Sequence, residues 1–223
     1  MVFTALSLRG AFLIEPERHE DERGFFARTF CTAEFAAHGI KVPVVQCNVA
    51  YNRRRGTLRG LHYQRPPNEE AKLIRCPRGA IFDVIVDLRP DSPTFKRWVA
   101  FELRADNGRM MWVPEGFAHG FQTFVDDTEV FYQMSTPYAA QDAAGVRWDD
   151  PALAIEWPKV SDRIISSRDL ALPLLASRNS PSVAASHALE GEEDRGDLSP
   201  RRVKRGRAYQ PGVKLHWCTR GIV

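Results

Sequence analysis

Between about residues 44 and 134 the chain alternates short apolar runs with clusters of turn-forming residues. Val44–Tyr51, Ala80–Leu88, Trp98–Leu103, Met110–Val113, His119–Val125 and Glu129–Met134 are rich in β-branched and aromatic side chains. Their period of two predicts strands. Gly56–Gln64 is strand-like as well, and Lys72–Cys76 forms a further apolar run. Between these runs lie Arg78-Gly79, Arg89-Pro90-Asp91-Ser92-Pro93, Asp106-Asn107-Gly108, Pro114-Glu115-Gly116 and Asp126-Asp127. Such links are too short to hold crossover helices, so the pattern predicts an all-β, antiparallel sandwich or barrel of the jelly-roll kind. A short helix is expected at Thr32–His38, with Thr32 as N-cap and Gly39 just past its end. A second helical patch is expected over Ser166–Ala176.

Composition divides the chain. Its 223 residues are 43% apolar, enough for one proper core. The formal net charge is +3, yet residues 178–223 hold nine Lys/Arg against five Asp/Glu, which leaves residues 1–177 slightly acidic. The body therefore gives no case for nucleic-acid binding. From Ser180 the sequence turns rich in Ser, Gly and mixed charge and runs into the basic stretch Pro200–Arg207. Low apolar content does not repay the entropy of ordering, so two parts are expected: a folded domain over 1–177 and a disordered tail over 178–223. A basic run of this kind suits either a nucleic-acid or lipid contact or a solvated tail, and the solvated tail is the reading adopted. No apolar run approaches the ~18 residues of a membrane span, and the N-terminus lacks a secretory pattern, so a cytoplasmic location is expected. Cys31, Cys47, Cys76 and Cys218 form no C-x-x-C pair, which predicts free thiols, with Cys47 and Cys76 in the core. His62 and His119 are isolated and no His-x-His occurs, so no metal site is expected.

The candidate chemistry centres on Gly56-Thr57-Leu58-Arg59-Gly60-Leu61-His62-Tyr63-Gln64, followed by Lys72. A base with nearby cations is what enolisation beside a ketone needs: the base takes the carbon-bound proton and the cations stabilise the oxyanion. Strand parity puts Gln46 and Asn48 on one face, opposite Val45, Cys47 and Val49. It aligns Lys72 with Ile74 and Cys76, and Tyr132 with Val130 and Met134. Arg59 and His62 have opposite parity, and a bulge at Gly60 would bring them together. His119, between small and aromatic residues, reads either as a ligand-binding residue or as a satisfied core histidine.

These motifs converge. The chain resembles the dTDP-4-dehydrorhamnose 3,5-epimerase family, whose fold is of the cupin type. The resemblance is carried by Arg23-Gly24-Phe25-Phe26, Gln46-x-Asn48, Leu58–Gln64, Lys72-Leu73, Phe82–Arg89, Pro114–Phe121, Tyr132, Trp148–Pro151 and Ser167-Arg168-Asp169, in the family's order over about residues 3 to 176. It implies a cofactor-free enzyme that epimerises a nucleotide-linked 4-keto-6-deoxyhexose at C3, C5 or both. It assigns the base to His62, its orienting carboxylate to Asp169, the acid on the opposite face to Tyr132 and enolate stabilisation to Lys72. It places Arg59, Gln46, Asn48 and His119 around the sugar and diphosphate, and Phe26 and Tyr138 beside the base. Arg23 would reach in across a homodimer built by exchange of N-terminal strands. Two positions depart from the family pattern. Arg28 stands where Glu is usual, and Arg168 stands where Lys is usual. A guanidinium inverts the hydrogen-bond pattern offered to a base, which opens cytidine as an alternative to thymidine. A mono-epimerase, a ketoisomerase and a non-catalytic sugar-nucleotide binder remain as rival readings.

Overall fold

A computed structural model describes residues 1–175. The tail expected over 178–223 lies outside the described residues. The chain begins with β1 (Val2–Ala5), β2 (Phe12–Glu15), β3 (Arg18–Asp21), β4 (Gly24–Ala27) and α1 (Thr32–Ala37). Then come β5 (Gln46–Asn52), β6 (Leu58–Gln64), β7 (Lys72–Arg78), β8 (Ala80–Asp87), β9 (Trp98–Arg104) and β10 (Met110–Val113). β11 (Phe117–Thr123), β12 (Thr128–Met134), β13 (Ala143–Gly145) and α2 (Ser167–Leu170) complete it. The strands form a six-stranded sheet ordered β1-β2-β10-β7-β12-β5 and a five-stranded sheet ordered β13-β6-β11-β8-β9, with β3-β4 as a separate hairpin. All pairs of strands are antiparallel, as the short connections require.

Three apolar layers explain why alternation is weak in the central strands. The inner layer joins the two sheets: Leu13, Ile74, Met111 and Val130 from one meet Ile81, Ile85, Leu103, Phe117 and Phe121 from the other. Outside the five-stranded sheet, Leu58, Leu61, Val84, Val86 and Ala118 pack against Val146, Leu153 and Trp157. Outside the six-stranded sheet, Ile14, Leu73, Met110 and Trp112 lie beneath Phe35 and Ile40 around α1. A strand covered on both faces reads as a continuous apolar run, and β11 is buried at every position.

Several expectations need correction. Cys31, not Thr32, occupies the N-cap of α1, and it makes no capping hydrogen bond. The patch expected at Ser166–Ala176 is helical only over Ser167–Leu170, capped by the Ser166 side chain, which accepts from the Asp169 amide. Cys76 is buried, but Cys47 is exposed. β5 is an edge strand whose outward residues Cys47, Val49 and Tyr51 are exposed. The five short strands β1, β2, β3, β4 and β13 have no counterpart in the sequence reading.

The β8–β9 connection is held by one buried carboxylate. Asp87 Oδ1 accepts from the Arg89 amide at 3.0 Å and from Arg89 Nε at 2.9 Å. Its Oδ2 accepts from Arg89 Nη2 at 2.7 Å, Ser92 Oγ at 2.5 Å and Thr94 Oγ1 at 2.6 Å. Burial alone would raise this carboxyl, but the donors from Arg89, Ser92 and Thr94 outweigh it and hold it at about 2. A carboxyl held below its unfolded value stabilises the fold above that value and loses the contribution as pH falls through the folded one. Asp87→Asn is therefore expected to cost roughly 2 kcal/mol at pH 7, measured by urea unfolding. The deficit relative to wild type should shrink between about pH 4 and pH 2, whereas a constant deficit would mean that Asp87 charge is not the source.

Candidate functional site

A pocket of about 470 Å³ opens between the two sheets. Strand parity builds its walls. The inward faces of β5, β7 and β12 supply Gln46, Asn48, Lys72, Tyr132 and Met134, and those of β6 and β11 supply Arg59, His62 and His119. Tyr138 stands at the rim, and α2 closes one side with Arg168 and Asp169.

Arg59 and His62 share this pocket because β6 bulges. The β6–β11 register advances from His119↔His62 to Phe121↔Arg59, two residues on one strand against three on the other. Gly60 occupies the bulge with φ of +125°, and a Cβ there would lie 2.6 Å from Gly120 Cα. Only glycine meets both demands without displacing β11.

His62 Nε2 lies 2.8 Å from Asp169 Oδ1, and Asp169 Oδ2 accepts the Gly60 amide at 3.2 Å. The His62 side chain is 43% exposed and that of Asp169 only 6%. Burial acts to raise the Asp169 carboxyl, but His62, Gly60 and Ser166 together hold it below the ordinary range. The carboxylate thus anchors the ring and leaves Nδ1 for a ligand. Tyr132 is half-buried on β12. Its phenol is raised by burial, with Arg59 pulling it down and Glu70 pushing it up, so it stays protonated.

Lys72 is buried, and its Nζ pairs with Glu70 Oε1 at 2.6 Å. Glu70 Oε2 in turn accepts the Gln64 amide at 3.0 Å. The sequence reading missed Glu70, although the signal was available: a Glu two residues before Lys shares its face in extended chain. His119 is buried, and its Nε2 lies 2.7 Å from Asp83 Oδ1. Asp83, also missed, is wholly buried at mid-strand.

The amides are pre-set. Gln46 Nε2 donates to Asn48 Oδ1 at 3.1 Å, and Gln46 Oε1 accepts the Tyr138 amide at 3.0 Å. Arg59 Nε donates to Asn52 Oδ1 at 2.8 Å, which aims the guanidinium from behind. Arg168 is exposed at the mouth.

Three of the expected residues are not brought to this pocket within one chain. Arg23 is exposed and paired with Asp21 at 2.6 Å. Phe26, at 72% exposure, projects from the β3–β4 hairpin. Arg28 donates to Glu34 at 2.6 Å. Among the described residues no three His, Cys, Asp or Glu side chains converge as a metal ion would require, and no helix is long and apolar enough to cross a membrane.

The family model described as dTDP-4-dehydrorhamnose 3,5-epimerase matches residues 5–177. The dTDP-4-dehydrorhamnose 3,5-epimerase of Sinorhizobium fredii is 44% identical over 175 residues, covering 78% of this chain and 90% of that one. The crystal structure of the Bacillus anthracis epimerase, with TDP and pyrophosphate bound, superposes with a TM-score of 0.76 at 46% identity, covering 78% of this chain and 99% of that one. ChmJ of Streptomyces bikiniensis, a 3'-monoepimerase solved with dTDP-quinovose, gives 0.71 at 38% identity, covering 76% and 85%. A pocket with a histidine–aspartate dyad, on a sandwich that matches these proteins through nearly their whole length, leaves one assignment: this chain belongs to the dTDP-4-dehydrorhamnose 3,5-epimerase family.

Proposed function

We propose that residues 1–177 form a cofactor-independent epimerase acting on a dTDP-linked 4-keto-6-deoxyhexose at C3 and C5. The observation that carries this reading is the His62–Asp169 dyad opening on the same pocket as Tyr132. His62 Nδ1 takes the proton from the carbon beside the ketone, and the C–H electrons move into the carbonyl to give an enolate. The Lys72 ammonium stabilises the charge gathering on that oxygen. Tyr132 then delivers a proton to the opposite face as the enolate collapses to the ketone. His62 ends with one proton more and Tyr132 with one fewer, and exchange with water resets both. The same steps at the second carbon complete a 3,5-epimerisation. Asp169 holds the imidazole in the tautomer that keeps Nδ1 free and stabilises the imidazolium that forms. A nucleotide-activated substrate is drawn from the cytoplasmic pool, and the enzyme is placed there.

The remaining expected residues fit a homodimer. β1 and β5 are the two edges of the six-stranded sheet, and edges of this kind are commonly covered by a second copy. Val45 just before β5, Val49 and Tyr51 along it, and Phe25 and Phe26 on the hairpin, are all exposed. Exchange of N-terminal strands would carry Arg23 and Phe26 to the partner's pocket. Arg168 and Arg59 would then meet the diphosphate together with Arg23. Arg28 is tied to Glu34 and free of the pocket in its own chain, so it need not overturn thymidine.

His62→Ala should reduce solvent-deuterium exchange into a dTDP-4-keto-6-deoxyhexose by at least about a hundredfold while dTDP affinity changes little. Asp169→Asn should cost less, because it disorients the ring without removing it. Retained exchange in His62→Ala would end the base assignment.

Tyr132→Phe is expected to lower completed epimerisation more than exchange, since His62 still forms the enolate and reprotonates the same face. Mass spectrometry of deuterium incorporation alongside product analysis separates the two. Parallel loss of both would make Tyr132 structural.

Arg23→Ala and His62→Ala proteins, each impaired as homodimers, should regain activity when refolded together. In the mixed dimer one pocket receives His62 from its own chain and Arg23 from its partner. Absence of complementation would place Arg23 outside the partner's site.

A further inference from the structure

His62 and His119 are direct partners in the β6–β11 register, and both line the pocket. Each points Nε2 at a carboxylate oxygen, at 2.8 Å and 2.7 Å. The two dyads differ at the other carboxylate oxygen. Asp169 Oδ2 accepts the Gly60 amide at 3.2 Å, so its charge is served by the backbone whatever the ring does. Asp83 Oδ2 is buried and has no partner among the described residues. Its neighbours on the inner face of β8, Ile81 and Ile85, belong to the apolar core. Burial there is severe: it pushes the nearby Cys76 thiol up to about 12, with Asp83 adding to the effect.

A wholly buried carboxylate that receives one hydrogen bond from a neutral ring leaves its charge uncompensated. Two arrangements avoid that state without leaving a buried donor unpaired. In one, both ring nitrogens are protonated and His119 forms an ion pair with Asp83. In the other, the proton sits on Asp83 Oδ1, which donates to Nε2, and the neutral ring carries its hydrogen on Nδ1. Both arrangements put a hydrogen on His119 Nδ1. That nitrogen has no hydrogen bond among the described residues and is not among their buried orphan atoms, so it opens to the pocket.

We propose that Asp83 is a positioning residue that fixes His119 as an Nδ1–H donor toward an oxygen of the bound ketosugar. Asp169, in the same geometry, leaves His62 Nδ1 as a bare acceptor. Two dyads of one shape therefore yield one base and one donor, and the difference lies in a single backbone amide. The identity of the acceptor rests on the epimerase reading, but the ring protonation does not. A fixed donor at this place strengthens its hold as oxygen gains negative charge, which favours the transition state over the ketone.

Ring nitrogen-15 spectra of the full chain labelled at histidine test the proposal without substrate. At pH 7.5, His119 Nδ1 should show the shift of a protonated nitrogen and His62 Nδ1 that of an unprotonated one. Assignment comes from His62→Gln and His119→Gln, or from ring-to-Cβ correlations should either variant fail to fold. An unprotonated signature at His119 Nδ1 would overturn the proposal. Asp83→Leu removes the carboxylate at similar volume and frees the ring to take either tautomer. It should give a mixed Nδ1 signature and lower kcat on the order of tenfold, with dTDP affinity within about twofold. An unchanged signature and unchanged kcat would make Asp83 a core residue and nothing more. Protonated Nδ1 in wild type with no turnover of any 4-ketosugar nucleotide would uphold the tautomer assignment and sink the epimerase reading instead.

Discussion

The contact between Gly60 and Gly120 is the constraint on which the site depends. β6 and β11 approach so closely that a methyl group on Gly60 would sit 2.6 Å from Gly120 Cα. That approach permits the bulge, and the bulge turns Arg59 and His62 to one face when alternation would separate them. The same residue lends its amide to Asp169 Oδ2. A single glycine therefore sets which side chains enter the pocket and where His62 stands, and it helps hold the Asp169 carboxyl down. A larger residue would have to move a strand buried along its whole length, and close-packed interiors resist such movement.

Around that point the fold separates cohesion from chemistry. Apolar layers inside and outside the sheets hold the strands, while the charged groups of the pocket are held in pairs. Glu70 fixes Lys72, Asp169 fixes His62, Asp83 fixes His119 and Asn52 fixes Arg59. Each cation or base is aimed by a partner that is itself buried, so little reorganisation remains to be done when charge develops on a ligand. Removing the cation or ring from Glu70, Asp83 or Asp169 would leave a buried carboxylate unpaired, which costs more than the pair contributes.

The sequence made the central strands legible because they are long, apolar and separated by turn residues. Met110–Val113 falls on β10 residue for residue. It also made the inward faces legible: Gln46 with Asn48, and Lys72 with Ile74, follow from alternation alone. What escaped has physical reasons. β1 to β4 are four residues each, too short for a period to register. Cys47 sits in an apolar run yet faces outward, because an edge strand can leave apolar residues for a partner to cover. Glu70 and Asp83 are buried carboxylates, and burial of a charge is decided by a cation brought from a distant strand, which local pattern does not carry. Asp169 was assigned through family resemblance; nothing in its local sequence points to His62.

The dyad joins residues 107 positions apart, and the distal member rides on a four-residue helix. That helix is tied to the sandwich by few bonds, whereas β6 is paired with a strand on each side and packs into the outer apolar layer. Elements with few buried contacts open locally at lower free energy than the core. Warming or mild denaturant would thus part His62 from Asp169 while the sheets stay intact. In this molecule loss of activity is an early sign of partial opening, and the spectroscopic signal of the β-sandwich is a late one.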